Sequence, residues 1–337
     1  MRQGQYTISF NHPPVIHSTG VAGGPFEARG NLVDAFDYLY EDLYIGESSF
    51  EKAQKKLLQT SFEIAIEKGG LVKEDIQHIV CGDLLNQITS SSFATLAMDR
   101  PYIGVFGACS TSIEALGLAA MFIDGGYADT VLTGTASHNA AVEKQFRYPT
   151  EYGGQKPPTA QWTVTGAGSA VLKSQGNGPR VTSVTFGRVV DMGLKDPFNM
   201  GGAMAPAAVD TIQRHLADTG RTPADYDLIV TGDLGQIGRA TSLDLLRDQG
   251  LELMDETYVD CGLLMYSKDQ KVQAGGSGCG CSAVGIYGHF INEMNQGRLQ
   301  RILAVATGAL LSPLSYQQKE SIPCIAHAVT IERQGVQ

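Results

Sequence analysis

The sequence predicts an α/β protein made of two duplicated halves packed about a pseudo-twofold axis, with apolar helices buried at its centre. Three observations carry that expectation. The segment Asp75–Leu84 recurs 150 residues later as Asp225–Leu234, with six of ten positions identical. A stretch with helical apolar spacing precedes each copy. A mostly apolar helix follows each copy further on, and a helix without a polar face is a buried one. At roughly 150 residues per domain, a chain of 337 residues suits two units, placed at 1–175 and 176–337.

The elements follow in chain order. Phe50 to Ile66 brings Leu57, Leu58, Phe62, Ala65 and Ile66 onto one helical face. The first repeat copy reads as a strand, and Tyr102 to Phe106 as a second, buried one. Gly107-Ala108-Cys109 then leads into an apolar helix, Ser110 to Ile123, stopped by Gly125-Gly126. A strand from Thr130 ends near Thr133. In the second half, Ala207 to Ala217 reads as a helix entered through Pro206, a residue favoured in a first turn. Gly275 to Gly280 leads into a helix from about Ser282 to Glu293, and Ile302 to Ala306 is the strand beyond it. The second half is longer between its two units, around Arg239 to Asp269.

Composition narrows the function classes. Hydrophobic residues make up 43% and charged residues 18%, the reverse of a disordered chain. The net charge of −10 repels phosphate backbones and anionic lipid surfaces, which argues against nucleic-acid binding. Six cysteines without a regular framework read as reduced thiols in a chain long enough to build its own core. Met1 to Phe10 shows no signal-peptide pattern. The longest apolar stretch, Ala115 to Ile123, is about half a membrane span, so membrane association is expected only through partners.

Cys109 is the first chemical candidate. It lies between a buried strand and a buried helix start, where Ser110, Thr111 and Ser112 supply capping hydroxyls. Free amides and the positive dipole end would stabilise a thiolate able to accept an acyl group; an inert core thiol is the equal alternative. His138, in Ser137-His138-Asn139, follows a strand end, where ligand residues gather in α/β sheets; a surface-loop histidine has the same weight. Lys144 to Lys156 mixes aromatic and charged groups and reads as a long loop. Arg147, with Tyr148 or Tyr152 as walls, would suit a flat anion; a subunit contact fits that composition equally. The Gly275–Gly280 stretch lacks dinucleotide spacing and reads as a close approach to the axis. There is no P-loop, zincin motif or nucleophile elbow, and Cys279 and Cys281 lack a second pair at zinc spacing. Neither a metal nor a cofactor is expected.

Gly107-Ala108-Cys109-Ser110 resembles the nucleophile turn of the thiolase and ketoacyl-synthase superfamily. Over almost the whole chain the resemblance is to the AD family of the stage V sporulation A group in endospore-forming bacteria. Its carriers are Cys81 to Gln87, Phe106 to Ser112, Ser137 to Ala140, Gln145 to Gln155, Met204 to Ala208, Gly275 to Ala283 and Ala306 to Pro313. The resemblance implies a thiolase-like fold and a protein that binds dipicolinic acid, alone or as a calcium chelate. It further implies a part in moving dipicolinate into the developing spore beside membrane proteins of the same gene cluster, and a homodimer.

Condensing enzymes of the superfamily carry a His after the strand equivalent to Leu228–Val230, where this chain has Thr231-Gly232-Asp233. A second His or Asn opens their Gly-rich turn, where only Ser277 and Cys279 stand here. Loss of both implies a non-catalytic chain with Cys109 as a pocket residue; an acyltransferase using Cys109 is the alternative. The expected ligand site gathers Cys109, Ser110, His138, Asn139, Arg147, Tyr148, Tyr152, Gly278, Cys279 and Cys281. In it, two converging helix beginnings would offer free amides to carboxylates.

Overall fold

A computed structural model describes residues 1–146, 156–333 and 335. One half runs, in sheet order, through strands Val15–Gly23, Gly166–Lys173, Thr130–Ser137, His78–Asp83 and Tyr102–Gly104. The other runs through Arg180–Phe186, Cys324–Glu332, Arg301–Ala309, Leu228–Thr231 and Tyr258–Asp260. In both, the first two pairings are antiparallel and the next two parallel. The repeated topology confirms the duplication. The two half-sheets join at a single residue pair, Arg180 with Val15. Beyond it the Arg180–Phe186 strand pairs with the short N-terminal strand Thr7–Ser9.

The helices at the centre are Thr111–Asp124 and the run from Cys279 to Asn295. They meet at the axis, where the hydroxyls of Ser112 and Ser282 lie 2.7 Å apart and Tyr287 donates to the Ser112 carbonyl at 2.7 Å. Small residues such as Ala115, Ala119, Ala120 and Ala283 let the helices and sheets close on one another in one apolar core. The second central helix is longer than the sequence spacing indicates, and its middle, Val284–Phe290, is π-helical.

Other elements differ from expectation for local reasons. The helix expected from Ala207 begins at Met200, because Asn199 caps it through the Gly202 amide at 3.3 Å. Pro206 therefore sits inside the helix, where it cannot give a hydrogen bond to the Gly202 carbonyl. The strand expected to end near Thr133 continues to Ser137, buried throughout. The strand at Tyr102 ends at Gly104, before Phe106. The longer stretch of the second half holds helix Gly235–Asp248, strand Tyr258–Asp260 and helix Cys261–Met265. Among the described residues no helix is long and apolar enough to cross a membrane.

Candidate functional site

Cys109 lies in a 3-10 turn, Ala108–Ser110, that opens the first central helix. Ala108 is held at φ 51°, a left-handed conformation uncommon for a residue with a side chain. The turn is clamped from the other half: a methyl group on Gly308 would overlap the Gly107 carbonyl oxygen. The capping role expected of Ser110 and Thr111 does not occur. Ser110 donates to the Gly107 carbonyl at 2.6 Å and Thr111 to the Ala108 carbonyl at 2.7 Å. Their hydroxyls tighten the turn and leave the first helical amides without a side-chain cap.

Five of the ten expected site residues converge here. Cys109 and Ser110 face Gly278, Cys279 and Cys281 across the interface between halves, and Ser282 donates to the Cys109 carbonyl at 3.3 Å. Gly278 has φ 98°, and its missing side chain leaves room for Ser137 and Thr163. All six cysteines are free and buried, and Cys109 is 6% exposed.

The chemistry differs from expectation in two respects. The amides at the second helix beginning are already occupied: Gly278 N–H donates to the Asp233 carboxylate at 2.8 Å and Gly280 N–H to the Ser137 hydroxyl at 3.1 Å. Side chains from distant strands have taken the acceptor positions proposed for a ligand. Second, the sulfur lies near a buried acid. Asp233 accepts from Thr307 Oγ1 at 3.2 Å and Ser277 Oγ at 3.3 Å, and its charge acts on the Cys109 thiol. Burial, with the Asp233 charge beside it, keeps the Cys109 thiol well above its ordinary pKa, although the Gly278 amide pulls the other way. Cys109 is a neutral thiol, not the thiolate its helix position suggested. Asp233 itself is pushed up to about 7, by burial foremost and then by the charge of Asp260 against its hydrogen bonds.

His138 and Asn139 are directed elsewhere. His138 is fully buried, pairs through Nε2 with the Leu43 carbonyl at 2.8 Å and stacks on Phe50, with ring centroids 5.3 Å apart. The carbonyl can only accept, so Nε2 carries the proton and Nδ1 is a buried acceptor with no hydrogen-bond donor among the described residues. Burial lowers its pKa, so the ring is neutral. Asn139 binds Thr165 and the Thr163 carbonyl, bracing the helix Asn139–Phe146, which includes part of the stretch expected to be loop. Arg147, Tyr148 and Tyr152 lie outside the described residues.

Above the Cys109 turn lies a cavity of about 400 Å³, shaped by the segments that follow strands of both halves. Leu84, Leu85, Phe106 and Leu310 supply apolar walls, with Gln87 and Ser312 as neutral polar groups. Leu84, Leu85 and Leu310 also pack with Cys109 in one apolar cluster, so the thiol lies next to the cavity's inner wall. The volume falls in the range of small-molecule sites, roughly 300–1,000 Å³. The sequence held two unread signals of this arrangement. Both repeat copies end in Gly-Asp-Leu at a strand terminus, and the first continues into the cavity wall.

A family model described as stage V sporulation protein AD matches residues 4–332. The chain belongs to that family. It is 48% identical over 332 residues to stage V sporulation protein AD of Bacillus subtilis (strain 168), covering 98% of both chains. Membership of the family assigns the chain to sporulation. Its fold is that of thiolases and ketoacyl synthases. Human mitochondrial 3-ketoacyl-CoA thiolase superposes with a TM-score of 0.60 at 11% identity, covering 96% of this chain and 100% of that one. The 3-oxoacyl-[acyl-carrier-protein] synthase III of Aquifex aeolicus VF5 gives 0.58 at 14% identity, covering 95% and 99%.

Proposed function

We propose that the chain is a non-catalytic dipicolinic-acid-binding protein that takes part in dipicolinate uptake into the developing spore. It would act at the inner membrane of the forespore through membrane proteins of its own sporulation gene cluster. The observation that carries this reading is the burial of Cys109. A neutral, buried thiol is a poor nucleophile, while a cavity of about 400 Å³ beside it has the dimensions of a binding site. Arg147 is proposed as the counterion of the acid, with Tyr148 and Tyr152 as walls, on their chemistry alone. Calorimetric titration of dipicolinate, with and without calcium, into wild type, Cys109→Ala and Arg147→Ala checks it. Heat of binding is expected for wild type, and Arg147→Ala should weaken affinity at least tenfold. Absence of heat with wild type removes the reading; full affinity in both variants removes only these two contacts.

A second reading, an acyltransferase, is favoured by one observation: Cys109 stands in the turn that opens the first central helix, in the fold of thiolases and ketoacyl synthases. The sulfur would attack a coenzyme A thioester, forming a Cys109 thioester and releasing coenzyme A as its thiol. Intact-mass measurement after incubation with acyl-coenzyme A would then show an adduct missing in Cys109→Ala.

Homodimer formation belongs to the same proposal. At one end of the sheet, Arg239 donates to the Tyr258 carbonyl at 2.9 Å and closes the edge. At the other, Tyr102–Gly104 is flanked by exposed Phe93, Leu96 and Phe106. A second copy adding there would cover apolar surface that a monomer leaves in water. Sedimentation of wild type against Phe106→Asp tests it, with dissociation expected for the variant.

A further inference from the structure

Only the beginning of the second central helix belongs to the Cys109 site. From Gly280 to Asn292 the helix carries the chain roughly 20 Å along its axis, to a separate cavity of about 360 Å³. The walls come from both halves: Asn31 to Ala35 from the first, and residues between Gly288 and Arg298 from the second. Two close approaches fix them. A methyl group on Gly288 would overlap the Ala35 carbonyl oxygen, and one on Gly285 the Cys261 sulfur. Both glycines lie in the π-helical stretch Val284–Phe290, a widened turn of the kind that recurs at functional sites.

The polar groups around this cavity are largely unspent. The Asp34, Asn292 and Gln296 side chains make no hydrogen bond or ion pair among the described residues. Asn31 gives its side-chain amide to the Tyr266 carbonyl at 2.9 Å and keeps its Oδ1. Arg298 grips Glu293 through Nε and Nη2, which leaves Nη1 unused among the described residues. His289 is half-buried; burial lowers its pKa, and the neutral ring presents one donor and one acceptor.

That inventory selects a ligand class. An anion would meet two carboxylates, Asp34 and Glu293, while the Arg298 charge is already matched by Glu293. A cation would share the space with the Arg298 guanidinium. An apolar ligand would leave the amides unpaired. Among the described residues no group of three metal-ligating side chains exists to hold an ion. Donors and acceptors are both on offer, and a hydroxyl group is both at once. We propose that this cavity binds a neutral polyhydroxylated molecule of monosaccharide size, near the lower end of small-molecule sites. Its hydroxyls accept from Asn292, Gln296 and Arg298 Nη1 and donate to Asp34 and Asn31 Oδ1. Asp34 and Gln296 are exposed, so the ligand enters directly from solvent. The proposal is independent of the acid-binding reading of the Cys109 site.

Saturation-transfer NMR on the full chain tests it, with glycerol, myo-inositol and D-glucose as probes and inorganic phosphate and choline as charged comparators. At least one polyol should bind saturably in the millimolar range. Asp34→Ala, which removes an acceptor from the exposed turn, should weaken that binding about tenfold. Asn292→Leu, which replaces an amide by an apolar group in the same space, should abolish it. If Asn292→Leu does not fold, Asp34→Ala decides. Failure of all three polyols to saturate overturns the proposal, as does saturation by phosphate or choline alone. Polyol binding that neither substitution changes places the ligand elsewhere and overturns it too.

Discussion

The two halves carry the same aspartate at the same place and use it differently. Asp83 ends the first-half strand and stays within its own half, accepting from the amides of Leu85 and Ser91 at 2.7 Å and from the Ser91 hydroxyl and Gln54. It holds its own turn. In the second half that task has passed to Asp260, which binds the amides of Leu234 and Gly235. Asp233 is thereby free to accept from the Gly278 amide at the second helix beginning. The matching cysteine of the second helix, Cys279, donates to the Ala136 carbonyl at 3.1 Å and is fully buried. Duplication supplies two equivalent places; one extra acid at the end of a neighbouring strand relieves the second aspartate of holding its own turn.

The comparison can be broken in order of expected effect. Gly308→Ala drives a methyl group into the Gly107 carbonyl and should destabilise the protein by about 3 kcal/mol or more, read as a lower chemical-denaturation midpoint. The equivalent pair of truncations should differ in size. Asp83→Ala strands two buried amides and should cost about 3 kcal/mol. Asp233→Ala strands one, and also removes a buried charge, so it should cost about 1 kcal/mol at pH 8. Equal losses would mean that the two aspartates do the same work. A pH-linked effect sharpens the contrast. Because the folded protein raises Asp233 to about 7, ionisation weakens the fold progressively as pH rises from about 4 through 7. Asp233→Asn escapes that loss, so its melting temperature relative to wild type should rise between pH 5 and 8.5, by a few degrees.

The duplicated architecture was legible because each half spells its strand end as Gly-Asp-Leu and follows it with an apolar helix. The turn at Cys109 was legible for the same reason. The state of the thiol was not. Burial and the charge of Asp233 set it, and Asp233 with its donors, Gly278 and Thr307, is far from Cys109 in the chain and comes near only once both sheets have formed. The expectation of free amides failed likewise, since local spacing reveals a helix start but not the Asp233 or Ser137 side chain that reaches it from another strand. His138 stood at a real strand terminus, yet the Leu43 carbonyl and the Phe50 ring fix where it turns. The cavity went unread because its walls, Leu84 and Leu310, read simply as core residues.

The first residues of the chain are stitched to the far half: the Asp218 carboxylate accepts from the amides of Gln5, Tyr6 and Thr7, and Thr7–Ser9 lies along the Arg180–Phe186 strand. During synthesis, then, Gln5 to Ser9 must wait for Asp218 to leave the ribosome before they find their seat. What emerges early is locked down late, and until then the strand it will cover stands open to any other extended segment in reach.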